Sequence, residues 1–201
     1  SMLAAQVAIN YGLFCKEIHF SGLYDPSDKA FFGAAFENTA REIYIKKFLE
    51  PNTFLKSGEA RELGVHKPKS FSRAELIFQG LESKPRLKQW EVLADQYSVL
   101  SSGGKDSLLS YGLLNELGYE VHPIFGNESG RHWFTALNAH RHFKANVPNT
   151  ARVWIKSDRV FAWMLRRLPF VRQDFSNIRS DEYPIRLWTV AVFLFGALPI
   201  L

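Results

Sequence analysis

One cysteine, Cys15, stands in 201 residues. A lone thiol excludes a disulfide framework and a four-thiolate zinc site, and it fits a reducing cytosol. No basic leader opens the chain: Met2 is followed by Leu3-Ala4-Ala5-Gln6-Val7-Ala8, and Ser1 reads as a cloning remnant. The most apolar stretch, Leu187 to Leu201, has fifteen residues and is interrupted by Thr189, Gly196 and Pro199. A bilayer span needs about 20 residues, so this stretch reads as a buried helix. Two nucleotide-binding glycine signatures are missing as well. G-x-G-x-x-G occurs nowhere, and G-x-x-x-x-G-K-[ST] fails because Lys105 is followed by Asp106. These absences predict a cytoplasmic protein without a membrane span.

What is present is ample apolar material, 46% of residues with 17 Phe, enough for one large domain or two small ones. The formal charge of +5 is unevenly spread. Residues 1–100 carry 13 basic and 12 acidic side chains, whereas 101–201 carry 12 and 8. Within 141–186 there are ten Lys or Arg against four acids, an excess that suits an anionic ligand, an RNA or simply a solvated basic face.

The most informative residues are Ser102-Gly103-Gly104-Lys105-Asp106-Ser107. They lie between an apolar run, Tyr97–Leu100, and an apolar-periodic run that starts at Ser107-Leu108-Leu109. That context predicts strand, tight turn, helix. Paired glycines allow close approach of a ligand, and the helix N-terminus offers unpaired N–H groups and the positive end of its dipole. Ser102 and Ser107 add hydroxyls and Lys105 a mobile charge, a set that suits a polyphosphate. The plainer reading is that Asp106 caps a helix; capping needs one such residue rather than the whole string.

The full S-G-G-x-D-S string resembles the PP-loop of the ATP pyrophosphatases, the adenine nucleotide alpha-hydrolase-like enzymes. The resemblance implies that the loop holds the pyrophosphate part of ATP while a substrate oxygen attacks the α-phosphorus, giving an adenylylated substrate and pyrophosphate. Carried over by position, Gly103, Gly104 and Lys105 with the hydroxyls of Ser102 and Ser107 would grip the β and γ phosphates. Asp106 would hold Mg²⁺, a hard cation that prefers oxygen. Adenine would pack at the ends of the first two strands of the domain, on Leu100 and Ser101 and on Ile124, Phe125 and Gly126. Families with this loop make amides, thiolated tRNA bases, nitriles and argininosuccinate. The N-terminal module, with its single cysteine, also resembles the MurL-type ATP-dependent glutamate epimerases, which act on a UDP-MurNAc-peptide. Without paired cysteines for thiolation, a small-molecule carboxylate is the favoured acceptor over tRNA; a non-catalytic nucleotide-binding protein is the rival reading.

Two modules are expected: residues 2–95, with no catalytic motif, and an ATP-binding domain over 96–201. In the first, strands are predicted at Val7–Tyr11 and Lys16–Phe20. Helices are predicted at Asp28–Leu49, Ser57–Leu63 and Ser72–Leu81. In the second, strands at Tyr97–Ser101, Tyr119–Phe125 and Arg152–Lys156 alternate with helices at Asp106–Leu117, Ser129–Lys144 and 157–168. That rhythm is an α/β fold with a parallel sheet, preceded by a smaller α/β or α+β module. Sheets around PP-loops carry about five strands. The others are expected from the N-terminal module, from sequence beyond a truncated C-terminus, or from a partner chain in a homo-oligomer.

Beyond the loop, Glu128 is either a second Mg²⁺ ligand, a substrate contact or an acid that suits a helix N-terminus. Arg131 is either a clamp for phosphate or a substrate carboxylate, or a surface cation. In the Arg179-Ser180-Asp181-Glu182-Tyr183-Pro184-Ile185-Arg186 cluster, Arg179 and Arg186 are candidate anion ligands and Arg186 a candidate catalytic residue; structural ion pairing explains them equally. His140 and His142 sit about 200° apart on a helix, which excludes a shared metal ion.

Overall fold

A computed structural model describes residues 1–50, 52–56, 69–83, 91–127, 131–178 and 189–201, with Leu3, Arg131, His132, Thr189 and Val190 described in backbone only. The chain divides into two compact units, residues 1–87 with 160–189, and residues 88–159 with 190–201. Both contain parallel strand pairs joined through helices, so the fold is α/β.

In the first unit, a short helix α1 (Met2–Ala5) runs into a 3-10 helix over Gln6–Tyr11 where a strand is expected. Its buried residues explain the difference. Gln6, Ile9, Asn10 and, beyond it, Leu13 face inward at a helical spacing, and two of these four are polar, so the apolar pattern hides the period. Strand β1 (Glu17–Ser21) follows as expected. Helix α2 (Pro26–Ile43) starts at a reciprocal cap: Asp25 Oδ1 accepts from Ser27 N and Asp28 N, and Asp28 Oδ2 accepts from Asp25 N. It continues as a π-helical turn over Tyr44–Phe48.

The predicted helix over Ser72–Leu81 is instead strand β2 (Glu75–Gln79), parallel to β1 with Phe20 opposite Phe78. Those rings stack at 4.7 Å between centroids, and Phe20 also meets Phe32 of α2 at 5.2 Å. Burying each such ring is worth about 1.5–3 kcal/mol, several times the helix propensity that Ala74, Glu75 and Leu76 forgo. Gly80, at φ +72°, ends the strand. Glu37 of α2 anchors the approach to β2 by accepting from Ser70 Oγ, Phe71 N and Ser72 N. Burial alone would raise its pKa; these hydrogen bonds outweigh that and hold it below the ordinary carboxylate range. The predicted helix Ser57–Leu63 lies outside the described residues. A second core joins Leu13, Ala40 and Ile43 to Leu165, Leu168 and Val171.

The second unit holds strands β3 (Gln96–Ser101), β4 (Glu120–Asn127) and β5 (Ala151–Trp154), all parallel in the order β3-β4-β5. Helix α3 (Lys105–Glu116) connects the first pair and α4 (Arg131–Asn146) the second. Phe125 of β4 packs with Ala136 and Phe143 of α4, and Tyr111 of α3 meets Phe143 edge-on at 4.6 Å, so both helices cover one sheet face. Gly118, at φ +86°, closes α3: Tyr119 N bonds Leu114 O and Gly118 N bonds Asn115 O. Helix α5 (Ser157–Leu165) ends before Pro169, one turn earlier than expected, and α6 (Thr189–Ala197) lies within the apolar C-terminal stretch. Among the described residues no helix is long and apolar enough to cross a membrane. β1 and β2 form their own two-stranded sheet and do not extend β3-β4-β5.

Candidate functional site

Strand β3 delivers the glycine loop to the carboxyl end of its sheet, where a parallel α/β fold binds ligands. Gly103 has φ +76°, and a Cβ there would lie 2.9 Å from Cα of Ala136 and 3.1 Å from the carbonyl oxygen of Thr135. Both the backbone angle and the approach of α4 therefore demand glycine at this position. Gly104 differs. Its φ is −82° and a Cβ would meet only Ser102 Oγ, at 3.5 Å. Among the described residues nothing requires Gly104 to lack a side chain.

The hydroxyls around the loop form an ordered chain. Ser101 Oγ accepts from Gly103 N at 3.2 Å and lies 3.0 Å from Ser107 Oγ, which donates to Gly104 O at 3.0 Å. A hydroxyl has one proton, so Ser107 spends its own on the Gly104 carbonyl and must accept from Ser101. The direction is thus Gly103 N–H to Ser101, Ser101 to Ser107, Ser107 to Gly104 C=O. Ser101 is buried at 7% exposure, and this chain is what justifies a buried hydroxyl there. The Ser107 hydroxyl and the Gly103 N–H, both expected to contact phosphate, are engaged within the loop.

What remains for a ligand is the start of α3. Gly104 is its N-cap residue, and no side chain caps the helix. Asp106 does not act as the cap; it sits in the first turn, exposed, where a carboxylate complements the dipole. Lys105 and Ser102 are exposed beside it. The uncapped head of α3, with the Ser102 hydroxyl and the Lys105 ammonium exposed beside it, has the chemistry that suits an anion. Among the described residues no group of three or more His, Cys, Asp or Glu gathers around a metal-sized point. A Mg²⁺ here would take one carboxylate, from Asp106, with phosphate oxygens and water completing its shell. That is how Mg²⁺ commonly binds in phosphoryl-transfer sites.

Of the residues proposed to meet adenine, Leu100 is partly exposed, whereas the side chains of Ile124 and Phe125 are buried in the core. A Cβ on Gly126 would collide with the ring of Phe193, so α6 lies directly on β4 at the carboxyl end of the sheet. Neither the α4 contact at Thr135-Ala136 nor the Phe193 contact was singled out from the sequence. The small residues Ala136 and Ala139, one turn apart, were the available signal for the first. Glu128, Arg179 and Arg186 lie outside the described residues; Arg131 opens α4 in backbone only.

No family model, curated protein or solved structure matches this chain. The site is therefore interpreted from its own geometry. His140, buried against Phe125 and Trp133, has its pKa lowered by burial and further by the nearby positive charges of Arg152 and Lys144. Among the described residues, the charged groups that shift the imidazole are these two cations. A separate groove of about 790 Å³, lined by Gln96, Tyr97, His122 and Thr150 among others, includes no loop residue.

Proposed function

We propose that the loop Ser102–Ser107 binds the polyphosphate of Mg²⁺-ATP and that the protein is an adenylylating enzyme of the PP-loop ATP pyrophosphatase kind. The observation that carries this reading is the spare glycine. Gly104 heads an uncapped helix, and neither its backbone angle nor any described neighbour excludes a side chain. A bare backbone at that point gives a phosphate unobstructed access to the N–H groups of α3.

In this scheme a carboxylate or carbonyl oxygen of the acceptor attacks the α-phosphorus and the bond from that phosphorus to the bridging oxygen of the β-phosphate breaks. Pyrophosphate leaves with the bridging electron pair, neutralised by Lys105, the helix N-terminus and Mg²⁺ on Asp106. A second nucleophile then displaces AMP. Ser101 and Ser107 position the loop without touching ATP.

Incubation of the protein with Mg²⁺, labelled ATP and a pool of small carboxylic acids is expected to yield AMP and pyrophosphate. Release of ADP and phosphate, or no calorimetric binding of ATP, overturns the proposal.

A further inference from the structure

The strand at the far side of the sheet from the loop carries an unusual surface. Alternation along β5 puts Arg152 and Trp154 on one face, and Lys156 continues the row. Trp154 is 60% exposed. Arg152 lies 5.8 Å from its ring centroid and Lys156 also 5.8 Å; Arg152 is in addition 5.3 Å from the ring of Trp133 in α4. These cations stand near the outer limit, about 6 Å, at which a ring quadrupole attracts them. Elsewhere in the chain Arg167 stacks on Trp163 at 3.7 Å, a closed contact. The Trp154 group is looser by comparison, an exposed ring with two exposed cations over it at 5.8 Å.

The sequence around it is mostly basic, with Asp158 two residues beyond Lys156. From Ser129 to Ser157 the sequence has no Asp or Glu but five Lys or Arg. The lowered pKa of buried His140 reports the same field, since Arg152 and Lys144 contribute to it after burial. The position is informative too. Phe125 is the register partner of both Ser101 and Arg152, so Arg152 lies level with the start of the glycine loop. Two strand spacings, about 10 Å, separate them. Trp154 and Lys156 lie further towards the carboxyl end, where the loop also opens.

We propose that Arg152, Trp154 and Lys156 form the recognition site for the acceptor, and that the acceptor carries a planar ring beside an anionic group. The ring stacks on Trp154; the anion is held by Arg152 and Lys156. This rests on the adenylylation reading, because it assigns the second substrate at the same carboxyl end of the sheet. A ring-bearing carboxylic acid and a pyrimidine nucleotide unit supply the same chemistry, and the test separates them.

Calorimetric titration of the intact protein with benzoate and with uridine 5′-monophosphate, neither of which carries adenine, addresses the site directly. At least one is expected to bind, and the tighter names the source. Ribose 5-phosphate and uridine, each lacking one half, are expected to bind at least about tenfold more weakly than the nucleotide, the loss of one stacked or charged contact. Trp154→Ala and Arg152→Gln should each weaken the bound probe by about tenfold, and Trp154→Phe should restore part of it. Lys105→Ala should leave probe binding unchanged while weakening ATP. Binding of both probes that Trp154→Ala leaves untouched, or no binding of either, overturns the proposal. ATP binding without probe binding sinks this inference alone. Probe binding without ATP binding sinks the adenylylation reading and leaves a ring-anion site.

Discussion

A Cβ on Gly103 would stand 2.9 Å from Cα of Ala136, so the backbone of α4 rests directly on the loop between β3 and α3. The loop is thus held from two sides, by α4 above and by the Ser101–Ser107 hydroxyl pair below. This separates the two glycines by role and makes their substitutions diagnostic.

Gly103→Ala is expected to destabilise the fold by more than the ~1–2 kcal/mol of a left-handed backbone angle, because α4 must also shift. Gly104→Ala should change stability by less than about 1 kcal/mol, since its backbone angle suits any residue. It should nevertheless weaken ATP binding by about tenfold or more, as one lost hydrogen bond to a charged group would. Urea denaturation and calorimetry on the two variants check this; equal ATP affinity in wild type and Gly104→Ala removes the proposed phosphate contact.

Ser107→Ala breaks the hydroxyl chain at its middle. It leaves the Gly104 carbonyl with only the Leu108 N–H as donor, at 3.2 Å, and Ser101 without its acceptor. A loss of about 1–2 kcal/mol is expected, with Ser107→Thr close to wild type. A Ser107→Ala protein as stable as the parent would show that the hydroxyl serves the ligand rather than the loop.

Asp106 makes no capping bond and is exposed at the start of α3. Its removal should therefore leave folding nearly intact, apart from a dipole contribution of about 0.3–1 kcal/mol. Asp106→Ala is expected to lower kcat by about a hundredfold or more while ATP affinity changes little. Turnover that keeps its Mg²⁺ dependence in this variant contradicts a metal role for the carboxylate.

His140 supplies a pH dependence with a definite sign. Its folded pKa is depressed, first by burial and then by Arg152 and Lys144. The unfolded chain takes up a proton near the ordinary value of about 6.5, which the folded protein resists. Stability from the neutral ring is therefore present above that value and is lost as pH falls through the folded pKa. Denaturation midpoints of wild type should drop on acidification from pH 7, and those of His140→Phe should drop less. Parallel curves would exclude the assignment.

The alternation of strand and helix from Gln96 to Leu165 was legible because each element there has its own punctuation. Gly103-Gly104 separates β3 from α3, Gly118 ends α3, and Pro169 follows α5. The N-terminal unit was less legible. Its 3-10 helix hides a helical period behind buried Gln6 and Asn10, and β2 exists because Phe78 finds Phe20 across a long sequence separation. Local pattern carries no record of such a partner.

For the proposed site, the amino-acid string alone supplied glycine, hydroxyl and cation before a helix, the local chemistry from which phosphate binding is proposed. Which of these groups the folded chain already engages was decided only by tertiary structure. Packing of α4 claims Gly103, the buried Ser101 claims Ser107, and the remainder, Gly104 with the uncapped head of α3, is left open. A hydrogen bond or a close approach consumes a group wherever its partner lies in the chain, and such partners become neighbours only on folding.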